Sequence, residues 1–221
     1  MNQTSFLRTA LAVAALASSQ LAMADIGAGS QVTFTDGPGS GTGGAFNVSV
    51  VGGAGQGESF QSFCLEKTES LNFTSTFYVK SLTGATTTAG TPDPLGNEAA
   101  WLFTQFKTNA NSFFGVNLGA VGNTALQQAI WTLEGEQAST SNALANTYIN
   151  WANTATAGVN GWKNNGSVQV MNLFSDAKYS QHAQDQIYMV SSVPEPETYA
   201  MMLAGLGLMG TIARRRKNKT A

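Results

Sequence analysis

The sequence predicts an α+β fold: a mainly antiparallel sheet with a central helical segment, flanked by a signal peptide and a C-terminal transmembrane helix. Three observations support this prediction. Apolar residues alternate with polar ones near both ends of the body, which is typical of half-buried strands. The middle of the body instead repeats its apolar residues at helical spacing. Uncharged apolar runs lie close to both termini.

Strand patterns dominate the first part of the body. In residues 30–35, Val32 and Phe34 share one face while polar residues occupy the other, so we expect a short strand. Glycine-rich residues 36–44 and proline-containing residues 83–94 are expected to be loops. The other predicted strands of this part are 46–50, 59–66 and 74–82.

The pattern then changes to a helical period. Residues 97–106 place apolar side chains at positions i, i+3, i+4 and i+7, and Asn97 is a plausible N-cap. The second predicted helix has an apolar stripe that ends near Glu134, and Thr124 followed by Gln127 matches a capping box. The remaining predictions are a third helix at 141–151, a loop at 153–165, and strands at 167–174 and 186–190.

The charge of the body excludes some partners. Between residues 25 and 193, five lysines and eleven carboxylates give a net charge of minus six. An acidic domain lacks the basic patch that nucleic-acid binding needs. We therefore expect no nucleic-acid partner.

The first residues have the features of a secretory signal. Arg8 precedes an apolar run at residues 10–17, and Ala22-Met23-Ala24 matches a small-residue cleavage site. We interpret residues 1–24 as a signal peptide and 25–192 as a mature extracellular domain.

The last residues combine a proline-containing motif, an apolar run and a basic end. Residues 200–213 carry no charge, and a helix of this length spans roughly 21 Å, less than the roughly 30 Å hydrocarbon core. The basic end should stay cytoplasmic, which places the body outside. The motif is Val193, Pro194, Glu195 and Pro196, and the basic end begins with Arg214, Arg215 and Arg216.

These three parts, in this order, resemble a PEP-CTERM sorting signal that covers residues 193–221. The resemblance implies a Gram-negative bacterium, a membrane-anchored precursor and processing by an exosortase near the Pro-Glu-Pro motif. It also implies a destination at the cell surface or in the extracellular matrix, often linked to biofilm and exopolysaccharide. An ordinary short membrane anchor is the alternative.

Cys64 is the only cysteine of a chain that is predicted to leave the cytoplasm. It cannot form an internal disulfide, and a free exported thiol is prone to oxidation. Two explanations are open: Cys64 is a small buried hydrophobic residue, or the protein uses its sulfur.

The segments Phe63-Cys64-Leu65-Glu66 and Gln127-Gln128-Ala129-Ile130-Trp131 resemble the cysteine and glutamine motifs of bacterial surface thioester domains. Leu126 stands where that family usually has threonine. The resemblance implies that Cys64 supplies the thiol and Gln127 the carbonyl of an internal thioester, which would react with surface amines. The alternative is that Gln127 only caps a helix and Trp131 only packs.

Other candidate residues are less specific. A nucleophilic pair of Cys64 and His182 is conceivable, and Glu134 with Glu136 would be the carboxylate pair of a hydrolase. Trp151 and Trp162 are candidates for stacking on sugars. One cysteine and one histidine are too few for a structural zinc site.

The sequence therefore predicts an exported surface or matrix protein without enzymatic turnover, catalytic residues, metal or cofactor. Its expected role is adhesive or structural, with an optional thioester at Cys64 and Gln127. The alternative is a noncovalent carbohydrate-binding module. The expected partners are an exosortase, extracellular polysaccharide or surface amines, and the membrane before processing.

Overall fold

The computed structural model describes residues 25–40, 43–86, 92–109, 112–113 and 116–190, together with positions 202, 205, 206 and 209. The predicted signal peptide, the Pro-Glu-Pro motif and the basic end all lie outside the described residues. The four isolated positions fall in the predicted tail helix, and each is helical.

A six-stranded antiparallel sheet forms the larger part of the fold. Its spatial order is β10-β9-β4-β1-β2-β3, and its longest pairing is the hairpin of the first two strands. The strands are β1 (Gln31–Ser40), β2 (Gly43–Gly52), β3 (Ser59–Ser62), β4 (Phe77–Thr83), β9 (Val168–Phe174) and β10 (His182–Met189).

Two short pairings and three helices complete the described elements. The short pairs are β5 (Ala85–Thr86) with β6 (Asp93–Pro94), and β7 (Ser112–Phe113) with β8 (Val116–Asn117). The helices are α1 (Asn97–Thr108), α2 (Gly119–Leu133) and α3 (Ala143–Thr156).

The two outer strands of the sheet meet through the residues that follow β3. Cys64 forms an isolated antiparallel bridge with Gln186 of β10. The backbone N–H of Leu65 donates to the Asp185 carbonyl at 3.1 Å, and that of Ile187 donates to the Phe63 carbonyl at 3.0 Å. The sheet therefore curls back on itself, and this seam contains Cys64.

Each face of the sheet covers its own apolar cluster. Val32 and Phe34 of β1 belong to one cluster, together with residues from β2, β4, β9 and β10. The other cluster joins the helices to the opposite face, where Val168 and Val170 of β9 lie. Alternation along each strand assigns residues to the two faces, so both are buried.

The structure confirms an α+β fold with a mainly antiparallel sheet and a central helical segment. Several local predictions were wrong. Residues 36–40 and 43–44, expected to be loop, extend β1 and β2, because glycine removes the alternation signal without preventing pairing. The predicted strand at 59–66 stops at Ser62, and α3 continues to Thr156 into the predicted loop.

Both predicted helix caps were also wrong. Gly96 is the N-cap of α1, while the side chain of Asn97 accepts a hydrogen bond from the Asn164 backbone N–H at 2.9 Å. Helix α2 begins at Gly119, so Thr124 lies inside it and donates to the Gly43 carbonyl at 3.0 Å. The side chains of Asn97 and Thr124 make long-range hydrogen bonds instead of capping a helix, and the local sequence does not encode such contacts.

Candidate functional site

The bridge between Cys64 and Gln186 fixes the orientation of the Cys64 backbone. The two hydrogen bonds that frame it belong to the neighbouring residues, so Cys64 and Gln186 are a non-hydrogen-bonded pair. The N–H and C=O of Cys64 therefore point away from β10. These two buried backbone groups need partners elsewhere.

Helix α2 supplies those partners through one side chain. Gln127 lies on the buried face of α2 with Leu126 and Ile130, and its own side chain is fully buried. An amide side chain at this position is expensive to bury unless both its donor and its acceptor are satisfied. It is satisfied here by Cys64.

The Gln127 amide binds both backbone groups of Cys64. The Cys64 N–H donates to Gln127 Oε1 at 3.0 Å, and Gln127 Nε2 donates to the Cys64 carbonyl at 2.7 Å. The Cys64 thiol also donates to Gln127 Oε1, at 3.2 Å. The structure thus brings together the two residues that the sequence predicted as a pair, 63 positions apart.

Burial controls the ionisation of the thiol. Cys64 is 2% exposed, and burial raises its pKa to about 12. The charges of Glu66 and Glu136 also raise this pKa, whereas the indole of Trp131 lowers it. Cys64 is therefore a neutral thiol at neutral pH.

Gly43 lies against the side chains of Gln127 and Trp131. Its φ of +125° is one that L side chains rarely adopt. A Cβ added there would lie 2.8 Å from Gln127 Cγ and 3.2 Å from the Trp131 ring. No sequence pattern marks Gly43 as a site residue, because its glycine-rich segment predicts a loop.

A cavity of about 600 Å³ reaches Cys64. Trp131 forms part of its wall, and Lys67 lies beside that ring with Nζ 5.8 Å from the ring centroid. Lys67 Nζ also donates to Gln137 Oε1 at 2.9 Å. The cavity has a mixed lining, with Phe46, Leu71 and Phe73 as apolar residues and Asp36, Glu69 and Gln128 as polar ones.

A buried acidic network follows Cys64 along the chain. Glu66 accepts a hydrogen bond from the Asp185 backbone N–H at 2.7 Å, and burial followed by the Asp185 charge raises its pKa to about 8. His182 lies 3.3 Å from Asp185 and 3.2 Å from Glu69. The adjacent Asp185 carboxylate raises the pKa of His182 to about 9. His182 is thus paired with carboxylates and not with Cys64.

One acidic cluster of the described residues could in principle hold a metal ion. Its members are Glu66, Glu69 and His182, and one ligand atom from each lies within 4.8 Å of the others. Hydrogen bonds already occupy them. Glu66 binds the Asp185 backbone, and His182 binds the Glu69 carboxylate. We interpret this trio as a structural network.

The remaining sequence candidates take part in packing and capping. Trp151 stacks on Phe113 with ring centroids 6.1 Å apart, and Trp162 packs against the helical core. Neither tryptophan lines the cavity at Cys64. Glu134 accepts from the Gly96 N–H at 3.1 Å, and Glu136 accepts from the Lys67 N–H at 2.9 Å.

Several buried polar groups have no hydrogen-bond partner among the described residues. They include the Trp131 indole N–H, the Tyr148 hydroxyl and both amide atoms of Gln186. Trp131 and Gln186 both lie close to Cys64, since Trp131 lines the same cavity and Gln186 is its bridge partner. Unpartnered groups of this kind are uncommon in native proteins.

The described part of the chain contains no helix with the length and apolar character needed to cross a membrane. Most of the predicted tail helix lies outside that part. The tail predictions therefore depend on sequence comparison.

Comparison with known families gives one match. Residues 192–217 match the family model described as a PEP-CTERM protein-sorting motif. No curated protein and no solved structure matches the chain. The matched residues include the predicted Pro-Glu-Pro motif and the arginines at positions 214–216. This C-terminal motif indicates an exported protein of a Gram-negative bacterium, anchored through its sorting signal and processed by an exosortase.

Proposed function

We propose that the exported domain is adhesive and that Cys64 and Gln127 form an internal thioester through which it attaches covalently to amines outside the cell. One observation carries this proposal. The Gln127 amide is held on the Cys64 backbone by two hydrogen bonds and lies with its oxygen 3.2 Å from the sulfur. Reactants fixed in this way need little further ordering to react.

Formation of the thioester conserves atoms and charge. The Cys64 sulfur attacks Gln127 Cδ, a sulfur–carbon bond forms and the carbon–nitrogen bond breaks. The thiol proton passes to the departing nitrogen, which leaves as ammonia. Because the pKa of the thiol is about 12, this proton is present on sulfur at neutral pH.

Two backbone groups assist the reaction. The Cys64 N–H already donates to Gln127 Oε1, so it can stabilise the negative charge that develops on this oxygen during attack. The Cys64 carbonyl accepts from Gln127 Nε2 and orients the nitrogen that leaves. Both groups belong to the nucleophilic residue itself.

The surroundings favour a stored electrophile. Gln127 is fully buried, and Gly43 packs against its side chain, which limits attack by water. The cavity reaches the Cys64 side of the bond and offers an approach for an amine. An arriving amine would bond to Gln127 Cδ, break the carbon–sulfur bond and restore the Cys64 thiol.

Intact mass tests this proposal. A thioester lowers the mass of the purified protein by one ammonia, and the Cys64→Ala variant retains the mass of its sequence. Methylamine should add to the wild-type protein and release one titratable thiol. A wild-type protein with its full sequence mass and a titratable thiol would rule out the thioester.

The mixed lining of the cavity favours a second candidate, noncovalent binding of matrix carbohydrate. Phe73 is 46% exposed beside Phe46, with ring centroids 5.9 Å apart, and Asp36 and Glu69 add hydrogen-bond acceptors. Aromatic rings next to polar groups suit sugar rings. Glycan binding that survives Cys64→Ala and is lost in Phe73→Ala would support it. Binding that depends on Cys64 would favour the thioester.

A further inference from the structure

The indole N–H of Trp131 is a buried donor without a partner among the described residues. The residue is 8% exposed, so water satisfies little of its polar edge. Gly43 lies close to the same ring, since a Cβ added there would be 3.2 Å from it. A buried donor without a partner needs a functional or structural reason.

The position of Trp131 relates it to the reacting atoms. It follows Gln127 by four residues on α2, so both side chains lie on one helix face. Trp131 and Cys64 line the same cavity. The indole lowers the pKa of the Cys64 thiol, although its N–H makes no hydrogen bond to a described residue in the resting structure.

We propose that the Trp131 indole N–H donates a hydrogen bond to the Cys64 sulfur while that sulfur carries negative charge. The proposal rests on the thioester proposed above. When an amine bonds to Gln127 Cδ, the carbon–sulfur bond breaks and sulfur leaves with the electron pair. Sulfur then takes the proton that the amine releases.

This assignment explains why the donor has no partner at rest. A neutral thiol is a weak acceptor, whereas a thiolate is a strong one. The N–H therefore gains its partner chiefly in the charged state. Interactions that strengthen only as charge develops accelerate the reaction.

Trp131→Phe tests the proposal in the full chain, because it removes the N–H and keeps an aromatic ring. We expect methylamine to open the thioester at least about tenfold more slowly than in wild type. Tyr148→Phe is the control, since it removes another buried donor without a partner among the described residues, and Tyr148 packs against Phe113 without lining the cavity at Cys64. A Trp131→Phe rate equal to or faster than wild type would overturn the proposal.

A second measurement separates this inference from the thioester itself. Gln127→Ala cannot form the bond, so its Cys64 thiol can be alkylated with iodoacetamide across a pH range. At pH values below the thiol pKa, adding Trp131→Phe should lower the alkylation rate about tenfold, because less thiolate is present. An unchanged rate would contradict the role of Trp131 even if the thioester forms. A lowered rate in a protein whose wild type loses no ammonia would contradict the thioester alone.

Spectroscopy of the Gln127→Ala protein covers the case in which Trp131→Phe does not fold. The indole N–H resonance of Trp131 should shift as Cys64 ionises. The shift should be lost when Cys64→Ala is added. An indole signal that does not respond to this titration would overturn the proposal.

Discussion

Cys64 and Gln186 face each other as a non-hydrogen-bonded pair at the seam where the sheet closes. This pairing turns the Cys64 N–H and C=O outward, where the Gln127 amide occupies the place that a neighbouring strand would take. The seam therefore positions the thiol and the amide together. Closure of the sheet and assembly of the candidate site depend on the same residues.

Gln127 should stabilise the fold apart from any covalent bond. In a Cys64→Ala background, Gln127→Ala leaves two buried backbone groups without partners, and we expect a loss of about 2–4 kcal/mol in unfolding free energy. Urea denaturation measures this loss. Gln128→Ala is the control, because among the described residues this side-chain amide accepts one hydrogen bond, from Thr140, and its loss should cost less than about 1 kcal/mol. Equal losses would contradict the docking role of Gln127.

Gly43→Ala should destabilise the protein and slow the loss of ammonia. Its φ of +125° strains any L residue, and its Cβ would lie 2.8 Å from Gln127 Cγ. We expect a cost of about 2–4 kcal/mol from strain and overpacking together. Gly57→Ala measures backbone strain without overpacking, since its φ is +95° and an added Cβ meets nothing within 4 Å. If both variants form the thioester equally slowly, contact between residue 43 and Gln127 does not explain the slow loss of ammonia in Gly43→Ala.

Gln186→Met should stabilise the protein. Both amide atoms of Gln186 are buried without partners among the described residues, and methionine has a similar volume. We expect a gain of about 1 kcal/mol in unfolding free energy. Gln184→Met should instead destabilise the protein, because the Gln184 amide donates to the carbonyls of Glu66 and Glu69 at 2.6 and 2.7 Å. Destabilisation by Gln186→Met would show that its amide is satisfied in solution.

Stability should fall as the pH rises toward 9. Burial raises the pKa of Glu66 from 4.5 to about 8. Between these pH values the folded protein keeps a proton that the unfolded chain releases, so stability falls as the pH rises. The pKa of His182 rises from 6.5 to about 9, so its stabilising charge is complete below 6.5 and is lost through 9. Both groups therefore act in the same direction.

Glu66→Gln tests the contribution of Glu66 to that pH dependence. Glutamine imitates the protonated carboxyl and can accept the Asp185 N–H bond. The variant should lose less stability than wild type when the pH rises from about 6 to about 8, as measured by urea denaturation at each pH. The same slope in both proteins would assign the effect to other groups.

Local patterns predicted the fold class and most elements. The apolar stripe of α2 identified its buried face, and the motif resemblance placed Gln127 opposite Cys64. The glycine-rich ends of β1 and β2 were missed because glycine carries no side chain whose alternation could reveal a strand. The Cys64–Gln186 bridge joins residues far apart in sequence, so no local signal marks it.

The tryptophans show the limits of composition as a guide to sites. Trp151 and Trp162 were candidates for sugar stacking, yet both pack on the helical core. Trp131 belongs to the glutamine motif and lines the cavity. Their roles depend on which face of a helix meets the sheet, and that is a tertiary property.

The most direct test of the thioester is the intact mass of the purified wild-type protein, measured together with its thiol content. The thioester predicts a mass one ammonia below that of the processed sequence, no titratable thiol before methylamine and one thiol after it. The full mass with one titratable thiol before treatment would contradict it.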